Sequence, residues 1–219
     1  MHSMSHEDHA VLLVPGLHGS GPDHWQTHWQ REHPEYGCVT QKDWDIPSLE
    51  DWVSGLGQEI RATRKPVLLV AHSFGCLVAV RQGVLDPRGI LGALLVAPAN
   101  PDRFEVTWML PIRALGFPTI VVASDNDPWM PLVSAQWWAE RWGSRFVNVG
   151  AAGHINAESG VGAWPLGAKL FADLKSAALT RIAKGADGAG DARDASTGGR
   201  GRQAPDDART QAAAFRSSQ

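Results

Sequence analysis

Short apolar runs alternating with helical stretches constrain this chain more than any other feature. AVLLVPG (10–16), PVLLVA (66–71), ILGALLVAPA (90–99), FPTIVVAS (117–124) and RFVNVG (145–150) read as strands, with CVTQKDW (38–44) a weaker one. Helical patterns lie between them. Residues 22–34 carry Trp25, His28 and Trp29 at helical spacing between two prolines, and 48–63 opens with Ser48 and Asp51. Three more helices are expected at about 74–85, at 133–143 ending on Gly143, and at about 164–182. Strands without polar alternation are buried on both faces, which calls for a parallel sheet covered by helices above and below. Six of them predict a doubly wound α/β fold, whose ligands bind beyond the carboxyl ends of the strands.

Of the 219 residues, 43% are hydrophobic, enough for one core. The composition shifts near residue 183 to Ala, Gly, Asp and Arg, with Phe215 the one large apolar side chain beyond it. Such a stretch cannot bury enough surface to offset its ordering entropy. The expected organisation is a flexible tail at 1–9, a domain at 10–182 and a disordered tail at 183–219. A net charge of −3 gives no nucleic-acid footprint. No apolar run approaches the roughly 20 residues needed to span a bilayer, and MHSMSHEDHA lacks the parts of a signal peptide. Two cysteines, Cys38 and Cys76, make no disulfide framework, so a cytoplasmic protein is expected.

Polar residues that follow strands are the candidates for chemistry. The first strand runs into PGLHGSG, where a glycine turn brings backbone N–H groups close to a ligand and Leu17 offers a donor. The third strand turns into a helix at VAHSFG, with Ser73 at the corner. A serine there projects its Oγ outward, and the N–H of Phe74 faces a developing oxyanion. The bland alternative is a serine that caps the helix. The turn needs small flanking residues; Gly75 supplies one, and Ala71 adds a methyl where the G-x-S-x-G pattern has glycine. His72 adjoins Ser73 and is not placed to act as its base. After the fifth strand, SDNDPWMP offers Asp125 and Asp127; Pro128 stops regular structure just after Asp127, and the spacing of Ser124, Asp127 and Pro131 favours Asp127. After the sixth, GAAGHIN places His154 in a loop. The order Ser73, Asp127, His154 after three separate strands is the arrangement of a nucleophile, an orienting acid and a general base.

With those residues in view, the chain resembles the small serine hydrolases of the retinoblastoma-binding-protein-nine and YdeN-like family. The stretches that carry the resemblance are PGLHGSGPDHWQTHW, QKDWDIPSLEDW, VAHSFGCL, LLVAPA, SDNDPWMP and AGHINAESGVGAWPLG. It implies an α/β-hydrolase fold without a large cap, a triad of Ser73, Asp127 and His154, and alanine tolerated at position 71. Phe74 departs from the family's usual leucine and alters the pocket wall more than the backbone donor. The segment NPDRFEVTWMLPIRALGF, about 18 residues between two strands, is too short for a large lid. An open pocket for small acyl groups, carboxylic esters first, is therefore expected, with thioester or aminopeptidase chemistry as alternatives on the same triad. His18, Trp108 and Trp129 are candidate pocket residues; Trp164 is another, with a core role the safer expectation for the tryptophans. Neither a metal nor a cofactor is expected: His24 and His28 stand one helical turn apart but lack the glutamate of H-E-x-x-H and a third ligand. A partner-binding protein is the non-enzymatic rival, and it has no need of all three triad residues.

Overall fold

The computed structural model describes residues 9–194, with the backbone alone over 185–194. Six strands, β1 (Ala10–Val14), β2 (Gly37–Cys38), β3 (Val67–His72), β4 (Ile90–Val96), β5 (Thr119–Ala123) and β6 (Arg145–Asn148), form one sheet in the order β2-β1-β3-β4-β5-β6. Every pairing is parallel. The chain leaves β1 to one side for β2, then crosses back and adds β3 to β6 on the other side. The reversal opens a crevice at the carboxyl ends of β1 and β3.

Side chains divide by strand parity. Leu12, Val14, Leu69, Ala71, Leu95 and Val121 point to one layer, made by helices α2 (Leu49–Thr63), α3 (Phe74–Leu85) and α4 (Leu132–Trp142). Val11, Leu13, Leu68, Val70, Leu94 and Val122 point to the other, made by α1 (Trp25–Glu32) and α5 (Pro165–Asp194). This is the two-layered cover that unbroken apolar strands require. Trp25, Trp29 and Trp164 pack within the second layer, with Trp25 5.0 Å from each of the other two ring centroids. The expected core role of Trp164 is thereby met.

Differences from the sequence expectation have local causes. The weak strand at 38–44 shrinks to Gly37–Cys38. The far end of the expected span is a turn, in which Asp43 Oδ1 accepts the N–H groups of Asp45 and Ile46 at 2.8 and 3.2 Å. The helix expected at 22–34 starts at Trp25, because the His24 Nδ1 accepts the Gln26 N–H and caps it. The last helix continues to Asp194 and does not end at 182. The rest of the expected tail, 195–219, and residues 1–8 of the N-terminal tail lie outside the described residues. Between β4 and β5, 3-10 turns at Pro101–Phe104 and Thr107–Met109 stand where a cap would be inserted.

Candidate active site

Ser73 sits at the strand-to-helix corner with φ 53° and ψ −123°. An L-residue adopts such a conformation at a cost of about 1–3 kcal/mol, and only where the surroundings enforce it. Here they do. The Ser73 N–H bonds the Val96 carbonyl at 3.0 Å, and the Ser73 carbonyl accepts from Cys76 and Ala99 at 3.0 and 3.2 Å. Its hydroxyl makes no capping hydrogen bond to α3. Helix capping therefore does not account for the serine. The turn is tight on two sides: a Cβ on Gly75 would lie 2.3 Å from the Val14 carbonyl oxygen, and one on Gly16 would lie 2.7 Å from Ser73 Cβ. Ala71 is different. Its methyl belongs to the α2–α3–α4 core and its φ is not positive, so the strand holds an alanine there without conflict.

Three loops converge on the serine. His154 Nε2 lies 2.9 Å from Ser73 Oγ, and His154 Nδ1 lies 3.0 and 2.9 Å from Asp127 Oδ1 and Oδ2. The Asp127 side chain is 2% exposed and also accepts the Trp129 N–H at 2.9 Å. The carboxylate is thus fixed before it meets the imidazole. Asp125, the competing acid, accepts from the Asn148 side chain at 2.7 Å and does not reach His154. The acid and histidine loops are stitched together by Asn126, which the sequence reading did not use, and by Ser124, which it used only for spacing. Asn126 Oδ1 accepts from the Gly153 N–H at 2.7 Å, and buried Ser124 Oγ accepts from the Ala152 N–H at 3.0 Å. Such long-range bonds leave no periodic trace in a sequence.

Behind His154 stand two more buried histidines. The His72 ring centroid lies 5.0 Å from that of His154 and 4.7 Å from that of His24, both edge-on. Burial lowers the His24 pKa to about 4, with the charges of His154 and His28 adding to the effect. Burial, followed by His24 and His154, holds His72 well below the ordinary histidine range. Both rings are therefore neutral near pH 7. Burial raises the Cys76 thiol, whose Sγ sits 3.3 Å from the Val96 carbonyl, well above its ordinary value. Among the described residues no group of three His, Cys, Asp or Glu side chains is arranged to hold a metal ion. His24 is spent on the α1 cap.

The serine opens on a cleft of about 560 Å³ whose walls include Leu17, Phe104, Trp129, Arg103 and Asn156. Of the expected backbone donors, Leu17 lines the same cleft as Ser73 and Phe74 follows it at the start of α3; among the described residues neither N–H is spent in the loop hydrogen bonds. His18 lies at the rim, its Nδ1 2.9 Å from Asp45 Oδ1. Trp129 lines the cleft with its ring centroid 6.4 Å from that of His154. Trp108 is not brought to the cleft. The 3-10 turn at 107–109 sends Met109 into the core and leaves Trp108 81% exposed. Arg103, missed from the sequence, sits over the Trp129 ring at 4.7 Å and donates to the Pro128 carbonyl.

A family model described as serine hydrolase matches residues 11–173. A YdeN-like hydrolase from Pectobacterium atrosepticum is 41% identical, with a TM-score of 0.77 over 78% of this chain and 93% of that one. The ydeN gene product of B. subtilis is 19% identical, with a TM-score of 0.63 over 76% and 98% of the two chains. Est1E from Butyrivibrio proteoclasticus, solved with ferulic acid bound, shares the fold at 12% identity and a TM-score of 0.58, over 80% of this chain and 89% of that one. No curated protein matches the chain. The family model and the 41% identical relative place the chain: it belongs to the serine hydrolase family, as a YdeN-like member of the α/β-hydrolase superfamily.

Proposed function

We propose that this hydrolase cleaves small acyl substrates, carboxylic esters first, through Ser73, His154 and Asp127 and an acyl-enzyme intermediate. The observation that carries the reading is the continuous hydrogen-bonded line from Ser73 Oγ through His154 to Asp127. With Nδ1–H donating to Asp127, the Nε2 lone pair of His154 accepts the serine proton. Ser73 Oγ bonds to the ester carbonyl carbon, and that proton moves to Nε2. The N–H groups of Leu17 and Phe74 receive the oxyanion, a donor each worth about 3 kcal/mol in sites of this kind. Collapse breaks the bond to the alkoxy oxygen, which leaves with the proton from Nε2. Water then adds to the acyl carbon and gives a proton to His154; collapse breaks the bond to Ser73 Oγ, which takes that proton back from Nε2, and the acid is released. Asp127 stabilises the imidazolium formed in each half.

The substrate is a small molecule reached without a moving cap, and the two free thiols, Cys38 and Cys76, suit a reducing cytoplasm. Among the described residues no helix is long and apolar enough to cross a membrane. A fluorophosphonate probe tests the reading. Labelling of the wild type that disappears in Ser73→Ala is expected; folded wild type that takes no label overturns it.

A further inference from the structure

The His24-Trp25-Gln26 triplet and His72 surround the site without a part in the proposed chemistry. Each is committed to a contact. Trp25 Nε1–H donates to the Ile155 carbonyl at 2.8 Å, and His72 Nε2 lies 3.0 Å from the His154 carbonyl, which accepts its proton. Two successive carbonyls of the histidine loop are therefore held by side-chain N–H donors from outside that loop.

The loop needs holding. Gly153 and Ile155, on either side of His154, both have positive φ, 57° and 48°. Ile155 is β-branched, and such a residue does not adopt that conformation unaided. From the acid side the loop is tied by the Gly153 and Ala152 N–H groups. From the α1 side it is tied by Trp25 and His72. These two donors are themselves immobile. Gln26 Nε2 donates to the Val70 carbonyl at 2.9 Å and fixes the first turn of α1 to β3. Trp25 is fully buried between Trp29 and Trp164, and the His24 ring packs edge-on to His72.

We propose, resting on the triad reading above, that His72 and Trp25 are positioning residues: their N–H groups hold the His154 and Ile155 carbonyls and thereby set the His154 imidazole between Ser73 and Asp127. The triplet at the start of α1 is the frame for these donors.

Three variants separate donation from packing. His72→Phe keeps a ring and loses the donor, Trp25→Phe does the same at the second carbonyl, and His72→Gln keeps an N–H at a similar reach. Each is measured by kcat and KM on p-nitrophenyl acetate, by thermal melting, and by the low-field proton resonance of His154 Nδ1–H. A displacement near 1 Å at a reacting group costs up to about 100-fold in rate. The two Phe variants should therefore lose at least about tenfold in kcat, with KM within about twofold and the low-field resonance broadened. His72→Gln should stay within about threefold of wild type and keep the resonance. A folded His72→Phe or Trp25→Phe with wild-type kcat overturns the positioning role. If His72→Phe does not fold, His72→Gln and Trp25→Phe decide: equal losses in both, or none in either, overturn it. Turnover that survives Ser73→Ala sinks the triad reading and this one together, whereas loss in Ser73→Ala with full kcat in the Phe variants sinks the positioning alone.

Discussion

Asp127 faces His154 with both carboxylate oxygens, while Asp125, two residues earlier, is turned onto Asn148. Two acids so close in sequence thus have separate partners, and their substitutions should separate too. Asp127→Asn leaves the shape of the site and disturbs the histidine tautomer, which costs about 10⁴-fold in kcat in serine proteases. A loss of that order is expected here for a p-nitrophenyl ester. Asp125→Asn should keep kcat within about threefold and lower stability by about 1 kcal/mol, since one charge-assisted hydrogen bond is weakened. The reverse pattern would move the acid to Asp125.

The two small residues beside Ser73 make opposite predictions. Gly75→Ala would bring a Cβ within 2.3 Å of the Val14 oxygen and 2.5 Å of the Pro15 oxygen. Both are backbone atoms and cannot step aside cheaply. The expected result is a loss of at least about 3 kcal/mol in urea unfolding, or no folded protein. Ala71→Gly removes a methyl from the core and adds backbone freedom near the end of β3, about 1–2 kcal/mol together. Its kcat should stay within about twofold. Recovery of a faster enzyme from Ala71→Gly would show that the methyl narrows the turn.

Burial depresses His24 to about 4 and holds His72 well below its ordinary range, and this sets an acid limit on stability. Well above pH 6.5 both histidines are neutral folded and unfolded, and neither affects stability. As pH falls from 6.5 towards 4 the unfolded chain binds protons that the folded chain refuses, so stability drops. For His24 the full effect is about 3 kcal/mol at pH 4, and below that pH its penalty stays constant. Urea unfolding at stepped pH should show the decline, and His24→Asn, which retains a capping side chain, should flatten it. A His24→Asn slope equal to that of the wild type would show that His24 titrates freely in the folded protein.

The fold and the hydrogen-bonded line at Ser73 were legible because both depend on local patterns. Apolar runs such as 66–71 specify buried strands, and in a parallel sheet the residues after the strands come to one edge. Ser73 and His154 could be chosen on that ground, whereas Asp125 and Asp127 both follow the fifth strand and were separated only by their spacing to Ser124 and the prolines. What could not be read depends on where separate segments meet. Asn126 holding the Gly153 N–H, Trp25 holding the Ile155 carbonyl and Arg103 lying over Trp129 are bonds and contacts between distant segments. Trp108 illustrates the opposite error. An aromatic in a loop between strands suggested a pocket wall, but a single 3-10 turn decides which of Trp108 and Met109 faces inward, and it buries Met109.

The cleft sets a substrate size. Its volume of about 560 Å³ lies within the common range for small-molecule sites, and among the described residues no cap domain roofs it. Each methylene of an acyl chain gains about 0.8 kcal/mol while it can be buried. Across p-nitrophenyl esters of graded chain length, kcat/KM should therefore rise over the first few carbons. It should then level or fall once the chain outgrows the space bounded by Leu17, Phe104 and Trp129. Phe104 is the informative wall. Its ring lies 4.8 Å from that of Phe74, at the base of α3, so truncation opens space toward the core and not toward solvent. Phe104→Ala should move the optimum to a longer chain while acetate turnover changes by less than about threefold. A kcat/KM that keeps climbing through long acyl chains in the wild type would mean that these walls do not bound the acyl group.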